Sequence, residues 1–319
     1  METDTIFSLP LPNNNAEHHY YHLWPAQSPV AWVHIMHGMS EHGGRYAEVA
    51  KFLNAQNITV SSDDHRGHGL TGNRANSLFH LADNDGWNQL IEDQWHLISH
   101  IGKNLQVPLI ILGHSMGSYM ALDLCQRYGT RFNSDFPLEL AGLALSGSGY
   151  RHPIISGIGQ YIAQFERLRL GGKTSSQLLE YLSFGQFNKP FQPSRTDHDW
   201  ISSDPVVVDN YLQDPFCGGA ISTQSWCDFT AGLREIFARK QLKKLNSDLP
   251  IYLFSGSEDP VGNQGAGVKK LKQILLQNGV SDVQLRLYQN GRHEMLKEVQ
   301  RDAVYSDLLR WLQSIIRGL

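Results

Sequence analysis

The chain has 319 residues, 41% of them apolar and 18% charged, with 27 Lys and Arg against 31 Asp and Glu for a net charge of -4. This is ordinary globular composition, long enough for one large domain with an insertion, and it excludes wholesale disorder. There is no basic excess of the kind a nucleic-acid partner requires, and apolar runs such as Leu109–Leu112 fall far short of the ~20 residues that span a bilayer.

Met1–Asn15 carries Glu2 and Asp4 and lacks the basic and apolar regions of a secretory leader, so a cytoplasmic location is expected. Val30–Met36 reads as a strand and Arg45–Asn54 as a helix. Ile58–Ser62 (strand) and Trp87–Lys103 (helix) follow. Leu109–Leu112 is the next strand, Ser118–Tyr128 a helix and Leu140–Leu145 a strand. After an interruption, Ile251–Phe254 and Val283–Tyr288 are strands, Val268–Asn278 is a helix between them, and Glu298–Ile316 closes the chain as an amphipathic helix. This alternation predicts an α/β fold, a mostly parallel central sheet flanked by helices.

The interruption defines three segments: a core in two parts, 1–149 and 249–319, and an inserted, mainly helical cap or lid over 150–248. Within the cap, Ile154, Ile158, Ile162 and Phe165 fall on one helical face, expected to pack on the core; lipid contact is the alternative. Phe184–Phe191 reads as an ordered loop. Cys125, Cys217 and Cys227 match no zinc spacing and are expected to be free thiols.

The strongest chemical signal is Gly113-His-Ser-Met-Gly117, a G-x-S-x-G motif with an apolar strand before it and a helix after it. A strand turning sharply into a helix strains its apex, so Gly113 and Gly117 are needed where a Cβ would collide, and Ser115 projects as a nucleophile. The helix N-terminus behind it favours developing negative charge.

A serine hydroxyl needs a base, and this fold class takes its acid and base in the order Ser, Asp or Glu, His. Downstream of Ser115 only His152, His198 and His293 exist, and His293 alone follows a late strand, in Asn290-Gly-Arg-His-Glu294. The acid that orients it is expected at the same sheet edge, where Asp259 stands after Ile251–Phe254 with Glu258 as its rival; Asp282 lies at the opposite end. Oxyanion donors are expected at the amides of Met116 and Met39, the latter in a loop where Gly38 allows close approach. His37, His42 and His114 precede the nucleophile and read as orienting or packing residues.

His37-Gly38 with Glu41-His42 and Arg45-Tyr46, Asp64-His-Arg-Gly-His-Gly69, Gly113–Gly117, Asp259-Pro-Val261 and Arg292-His-Glu294 resemble the monoacylglycerol lipase and bacterial lysophospholipase group of serine α/β hydrolases. Asn188-Lys-Pro-Phe191, Asp197–Trp200, Asp204-Pro205 and Asp214-Pro-Phe-Cys-Gly218 extend the resemblance into the insertion. It implies a triad of Ser115, Asp259 and His293, oxyanion donors at Met39 and Met116, and hydrolysis of a small-molecule acyl ester of medium or long chain without metal or organic cofactor. The substrate it favours is a monoacylglycerol or lysophospholipid; the cap, where members differ, decides which. A transient membrane-surface contact through the cap is compatible with this reading.

Two alternatives stay open. An amide, peptide or thioester hydrolase of the same fold would need a cap carboxylate to hold a substrate amine, with Glu166, Glu180 and Asp209 as candidates; a non-catalytic ligand-binding relative would keep only the pocket. Arg167, Arg169 and Lys173 read as a solvated helix face rather than a phosphate-binding cluster.

Overall fold

The computed structural model describes residues 5–12, 14–132 and 138–318; Glu2 and Asp4 lie outside them. The strands are β1 Thr5–Leu11, β2 Asn14–Trp24, β3 Ala31–Met36, β4 Ile58–Asp63, β5 Leu109–His114, β6 Leu140–Ser146, β7 Ile251–Gly256 and β8 Val283–Tyr288. They form one sheet in the order β1-β2-β4-β3-β5-β6-β7-β8. The strands from β3 to β8 pair in parallel, whereas β2 runs antiparallel to both β1 and β4.

Every residue of β3, β4, β5 and β7 is buried. β3, β5 and β7 read as largely apolar runs because helices cover both faces of a parallel sheet, while β4 buries Thr59, Ser61, Ser62 and Asp63 as well. Trp87, Leu97 and Leu122 pack on one face with Ile111 and Leu145, and Leu53, Leu308 and Trp311 pack on the other with Val33 and Ile110. The edge strand β8 alternates buried and exposed positions instead.

The hairpin of β1 and β2 was not expected from the sequence. Its second strand turns His19 and His22 inward, and His19 Nε2 bonds the buried Asp63 Oδ2 at 2.7 Å. Histidines on the buried face erase the apolar alternation by which a strand is recognised.

Between β6 and β7 the chain is helical, dominated by Pro153–Leu170 and Thr223–Ile236. The apolar stripe does not pack on the core: Ile154, Ile158 and Phe165 are 68%, 56% and 62% exposed, and Ile162 is half-buried. Small and polar residues form the buried face instead, with Gly157, Ala163 and Glu166 turned inward. A Cβ on Gly159 would already lie 3.6 Å from Thr230 Cγ2 on the facing helix. Close helix approach through small residues therefore takes precedence over the larger side chains, which are left outside.

Phe184–Phe191 is not an irregular loop but a helical turn, Phe184–Phe187, followed by a 3-10 turn, Lys189–Phe191. The Arg45 helix begins as a 3-10 turn, Gly43–Tyr46, before Ala47–Asn54. The final helix starts at Arg301, because Glu298 is withdrawn to accept hydrogen bonds from Ser203 and the Arg292 amide. No described helix is long and apolar enough to cross a membrane.

Candidate active site

Ser115 sits at the apex between β5 and the helix Met116–Tyr128, with φ 52° and ψ -119°. Such a conformation is costly for a non-glycine residue and is held only where its surroundings enforce it. Here they do. A Cβ on Gly113 would lie 2.3 Å from Gly117 O, and one on Gly117 would lie 2.1 Å from Met36 O. Two glycines thus let strand, elbow and β3 touch, and the half-buried Ser115 side chain is presented at the C-terminal edge of the sheet.

His293 follows β8 and is buried against Asp259, which follows β7: His293 Nδ1 and Asp259 Oδ1 are 3.0 Å apart. Asp259 also accepts from Ser255 Oγ at 2.8 Å and from the Val261 amide at 2.9 Å. Burial pushes the Asp259 carboxyl up, but His293 and these donors outweigh it and hold it below the usual carboxylate range. An ionised Asp259 accepts a hydrogen bond from Nδ1–H, which keeps the proton on Nδ1 and leaves Nε2 as the basic nitrogen. Burial lowers His293, yet the charge of Asp259, with Glu294 and Glu41 behind it, raises its pKa overall. The rival acid, Glu258, holds Gly291 O through its amide.

The loop after β3 approaches the same point. A Cβ on Gly38 would be 3.2 Å from Ser115 Cβ. The Gly38 amide donates to Glu41 Oε1 at 2.6 Å, and among the described residues neither the Met39 nor the Met116 amide has a protein acceptor. His37 supports this loop: the His65 amide donates to its Nε2 at 3.0 Å, which leaves Nδ1–H to donate to Gly38 O at 2.7 Å. Burial and the neighbouring His65 and His68 keep His37 well below the ordinary histidine value, so it stays neutral. Burial beside His293 likewise lowers His114 to about 4.

Ser115 opens onto two hollows. One, of about 250 Å3, is mostly apolar and bounded by Met39, Met116, Tyr119, Leu182, Phe184, Trp226 and Phe229, with Arg151, Ser156 and Thr230 among its polar lining. The other, of about 30 Å3, adds Gly38, His114, Trp200, Tyr211, His293 and Glu294. Ser115, Met39 and Phe184 line both. A larger hollow of about 540 Å3 around Arg66, His80 and Lys173 contains none of these groups.

Glu41, Arg45, Glu294 and Trp200 had no role assigned from sequence. The first three join in one buried ion-pair group, in which Arg45 bonds Glu41 Oε2 at 2.6 Å and both Glu294 oxygens at 2.8 Å. The motifs containing them were visible, but their meeting is a long-range fact that spacing does not encode.

The cap carboxylates considered for amine binding line neither hollow. Glu166 is bonded to Arg169 and Ser176, and Asp209 to Arg195. Glu180, pushed up to about 7 by burial, accepts from Trp226 Nε1 at 3.4 Å. Arg169 is thus paired, as is Lys173 with Asp83 at 2.9 Å. Two side-chain sets, His22 with His42 and Asp64, and His42 with Asp214 and Cys217, bring metal-type donors within 4.8 Å. Their carboxylates already serve the protein, Asp64 on the Gly43 and Leu70 amides and Asp214 on the Phe216 amide and His42. Cys125, Cys217 and Cys227 are free.

A serine raised on this elbow, above a mostly parallel sheet and beside a histidine–carboxylate pair, defines a class: the serine α/β hydrolases. The chain belongs to the Hydrolase_4 family, described as serine aminopeptidase, S33, whose match runs over residues 27–300. Among curated relatives, the monoacylglycerol lipase of Mycolicibacterium smegmatis is 25% identical over 92% of both chains. The human monoglyceride lipase is 25% identical over 95% of this chain and 89% of its own. Among solved structures, a thermostable carboxyl esterase from Bacillus coagulans in complex with glycerol superposes with a TM-score of 0.88 at 25% identity, covering 99% of this chain and 100% of its own. A soluble variant of the Saccharomyces cerevisiae monoglyceride lipase shares the fold with a TM-score of 0.74 at 19% identity, over 99% and 97%. The chain is a serine carboxylic-ester hydrolase of this family.

Proposed function

We propose that the protein hydrolyses lipid-type carboxylic esters, monoacylglycerols or lysophospholipids, through an acyl-enzyme on Ser115. The observation that carries this reading is the mostly apolar hollow of about 250 Å3 that opens directly at Ser115, shaped for an acyl chain rather than for a charged or peptide group. Lipase activity in the relatives supports it.

In this mechanism Ser115 Oγ attacks the ester carbonyl carbon while His293 Nε2 removes its proton. Asp259 holds the ring through Nδ1–H and stabilises the imidazolium. The Met39 and Met116 amides receive the carbonyl oxygen as it becomes negative, the interaction that only the transition state makes in full. His293 then returns the proton to the departing alcohol, and a water activated by His293 cleaves the acyl-enzyme. Gly113 and Gly117 hold the elbow, and His37 and Gly38 hold the donor loop.

Residues 150–248 form the cap in this reading and 1–149 with 249–319 the core. The exposed stripe of Ile154, Ile158 and Phe165, joined by Leu168 at 83% exposure, serves as a surface for transient contact with lipid aggregates. The test is a series of p-nitrophenyl esters, monoacylglycerols, lysophospholipids and aminoacyl amides run beside Ser115→Ala. Turnover concentrated on the lipid esters and lost in the variant is expected; turnover that survives Ser115→Ala would overturn the assignment.

A further inference from the structure

Trp200 belongs to the inserted segment, yet its neighbours are fastened to the loop that carries His293. Ile201 O accepts from the Glu294 amide at 2.8 Å. Arg292 Nη1 donates to Asp199 O at 2.5 Å and to Ser202 O at 3.1 Å. Glu298 accepts from Ser203 N at 2.8 Å and from Arg292 N at 3.0 Å. The Trp200 amide itself donates to Asn188 Oδ1 at 3.0 Å. These bonds make the Asp199–Ser203 stretch a fixed wall of the site.

The indole is held between rings. Its centroid lies 5.0 Å from that of His293, 5.9 Å from Phe184 and 5.1 Å from Phe187. It is 5% exposed, and among the described residues its Nε1–H has no acceptor. A buried indole N–H is ordinarily bonded, since leaving it without a partner is costly. Trp200 lines the small hollow with Ser115 and His293 but not the apolar one.

The two hollows therefore divide the substrate at the scissile bond. The apolar one takes the acyl chain, and the small one, on the side of the histidine that must protonate the leaving oxygen, takes the alcohol. At about 30 Å3 it has room for roughly one or two water-sized groups, enough for the hydroxyl nearest the ester.

We propose that Trp200 is a specificity residue whose indole N–H donates to a hydroxyl oxygen on the alcohol part of the substrate, beyond the ester itself, selecting glycerol esters such as monoacylglycerols over simple alkyl esters. The inference rests on Ser115 being the nucleophile that faces this hollow.

The test compares a monoacylglycerol and an ethyl ester of the same acyl chain with wild-type protein and Trp200→Phe. Phenylalanine keeps the aromatic packing on His293 and removes the donor. The wild type is expected to favour the monoacylglycerol. In the variant the ratio of monoacylglycerol to ethyl-ester kcat/KM should fall about tenfold, the effect of one substrate hydrogen bond to a buried donor. Because it is a ratio within one preparation, a partly folded variant does not distort it. An unchanged ratio, or equal turnover of the ethyl ester and the monoacylglycerol by the wild type, would overturn the proposal. Failure of the underlying reading shows separately, as ethyl-ester turnover that persists in Ser115→Ala.

Discussion

Arg45 grips Glu294 through two hydrogen bonds of 2.8 Å each, across 249 residues of sequence. The same guanidinium reaches Glu41 at 2.6 Å, and Glu41 Oε1 accepts from the Gly38 amide at 2.6 Å and from Tyr46 OH at 2.9 Å. A single cation thereby joins the loop that carries Met39 to the loop that carries His293, and with it the two halves of the proposed catalytic site. Lys297, lowered to about 8 by burial and by Arg45, closes the group through a bond to Arg45 O.

Removing that cation strands two buried carboxylates. Arg45→Met is expected to lose about 3–5 kcal/mol of stability, the usual consequence of breaking a buried pair from one side. In molecules that remain folded, kcat should fall roughly ten- to a hundredfold as donor loop and base lose register. Arg45→Lys restores charge but not the planar fork, so it should recover stability only in part. Thermal melts with steady-state kinetics check this; an Arg45→Met protein with unchanged kcat would disprove the coupling.

The pH dependence follows from His293. With His293 as the proposed base, its neutral form is the active one and protonation removes activity as pH falls. Burial works against the charged ring, but Asp259, Glu294 and Glu41 outweigh it, so the folded value lies above the ordinary 6.5. The acid limb of kcat/KM should therefore have its midpoint above pH 6.5, with activity retained toward higher pH. Asp259→Asn removes the main raising charge: the limb should move down, and kcat should fall on the order of 10⁴-fold as the ring loses its orienting partner. A wild-type midpoint at or below pH 6.5 would contradict this account.

The donor loop can be probed without touching a charged group. A Cβ on Gly38 would lie 2.8 Å from Glu41 Oε1 and 3.2 Å from Ser115 Cβ. Gly38→Ala must therefore displace the Glu41 carboxylate that holds the Gly38 amide, and with it disturb the loop that carries Met39. The expected cost is 10²–10³-fold in kcat, about the loss of one oxyanion donor, with KM little changed. Circular dichroism verifies that the fold survives; a variant with near-normal kcat would remove Met39 from the oxyanion site.

These residues also show what a sequence reveals. The elbow at Ser115 was legible because strand, glycines and helix are consecutive, and the pairing of His293 with Asp259 because the chain offers few histidines after Ser115. Six strands from β3 to β8 were readable, β3, β5, β6 and β7 as the largely apolar runs that burial on both faces demands and β4 and the edge strand β8 from their Val, Ile, Leu and aromatic residues alone. The hairpin of β1 and β2 was not, because His19 and His22 fill buried positions with polar side chains that face distant carboxylates, Asp63 and Asp64. The helix Pro153–Leu170 was recognisable, but its orientation was reversed. Apolar periodicity identifies a face, whereas packing against Thr223–Ile236 depended on Gly157, Gly159 and Ala163, which carry little hydrophobic signal.

That reversal yields the last prediction. Phe165 and Leu168 stand 62% and 83% exposed on the cap, next to Tyr161 at 71%. Transferring a side chain of this size from water to an apolar phase is worth about 1.5–3 kcal/mol when complete. If the stripe meets lipid, Phe165→Ser with Leu168→Ser should weaken binding to monoacylglycerol-containing vesicles at least about tenfold and reduce turnover of vesicle-borne substrate in step. Neither side chain supports the fold, so the melting temperature should hold, within the small range typical of surface substitutions. Turnover of a short, monomeric ester should also be unaltered, because both residues lie outside the two hollows at Ser115. Sedimentation with vesicles and parallel kinetics on the two substrate forms separate the possibilities. Equal losses on monomeric and vesicle-borne substrate would assign the stripe to the acyl pathway instead, and no loss on either would leave it an inert surface.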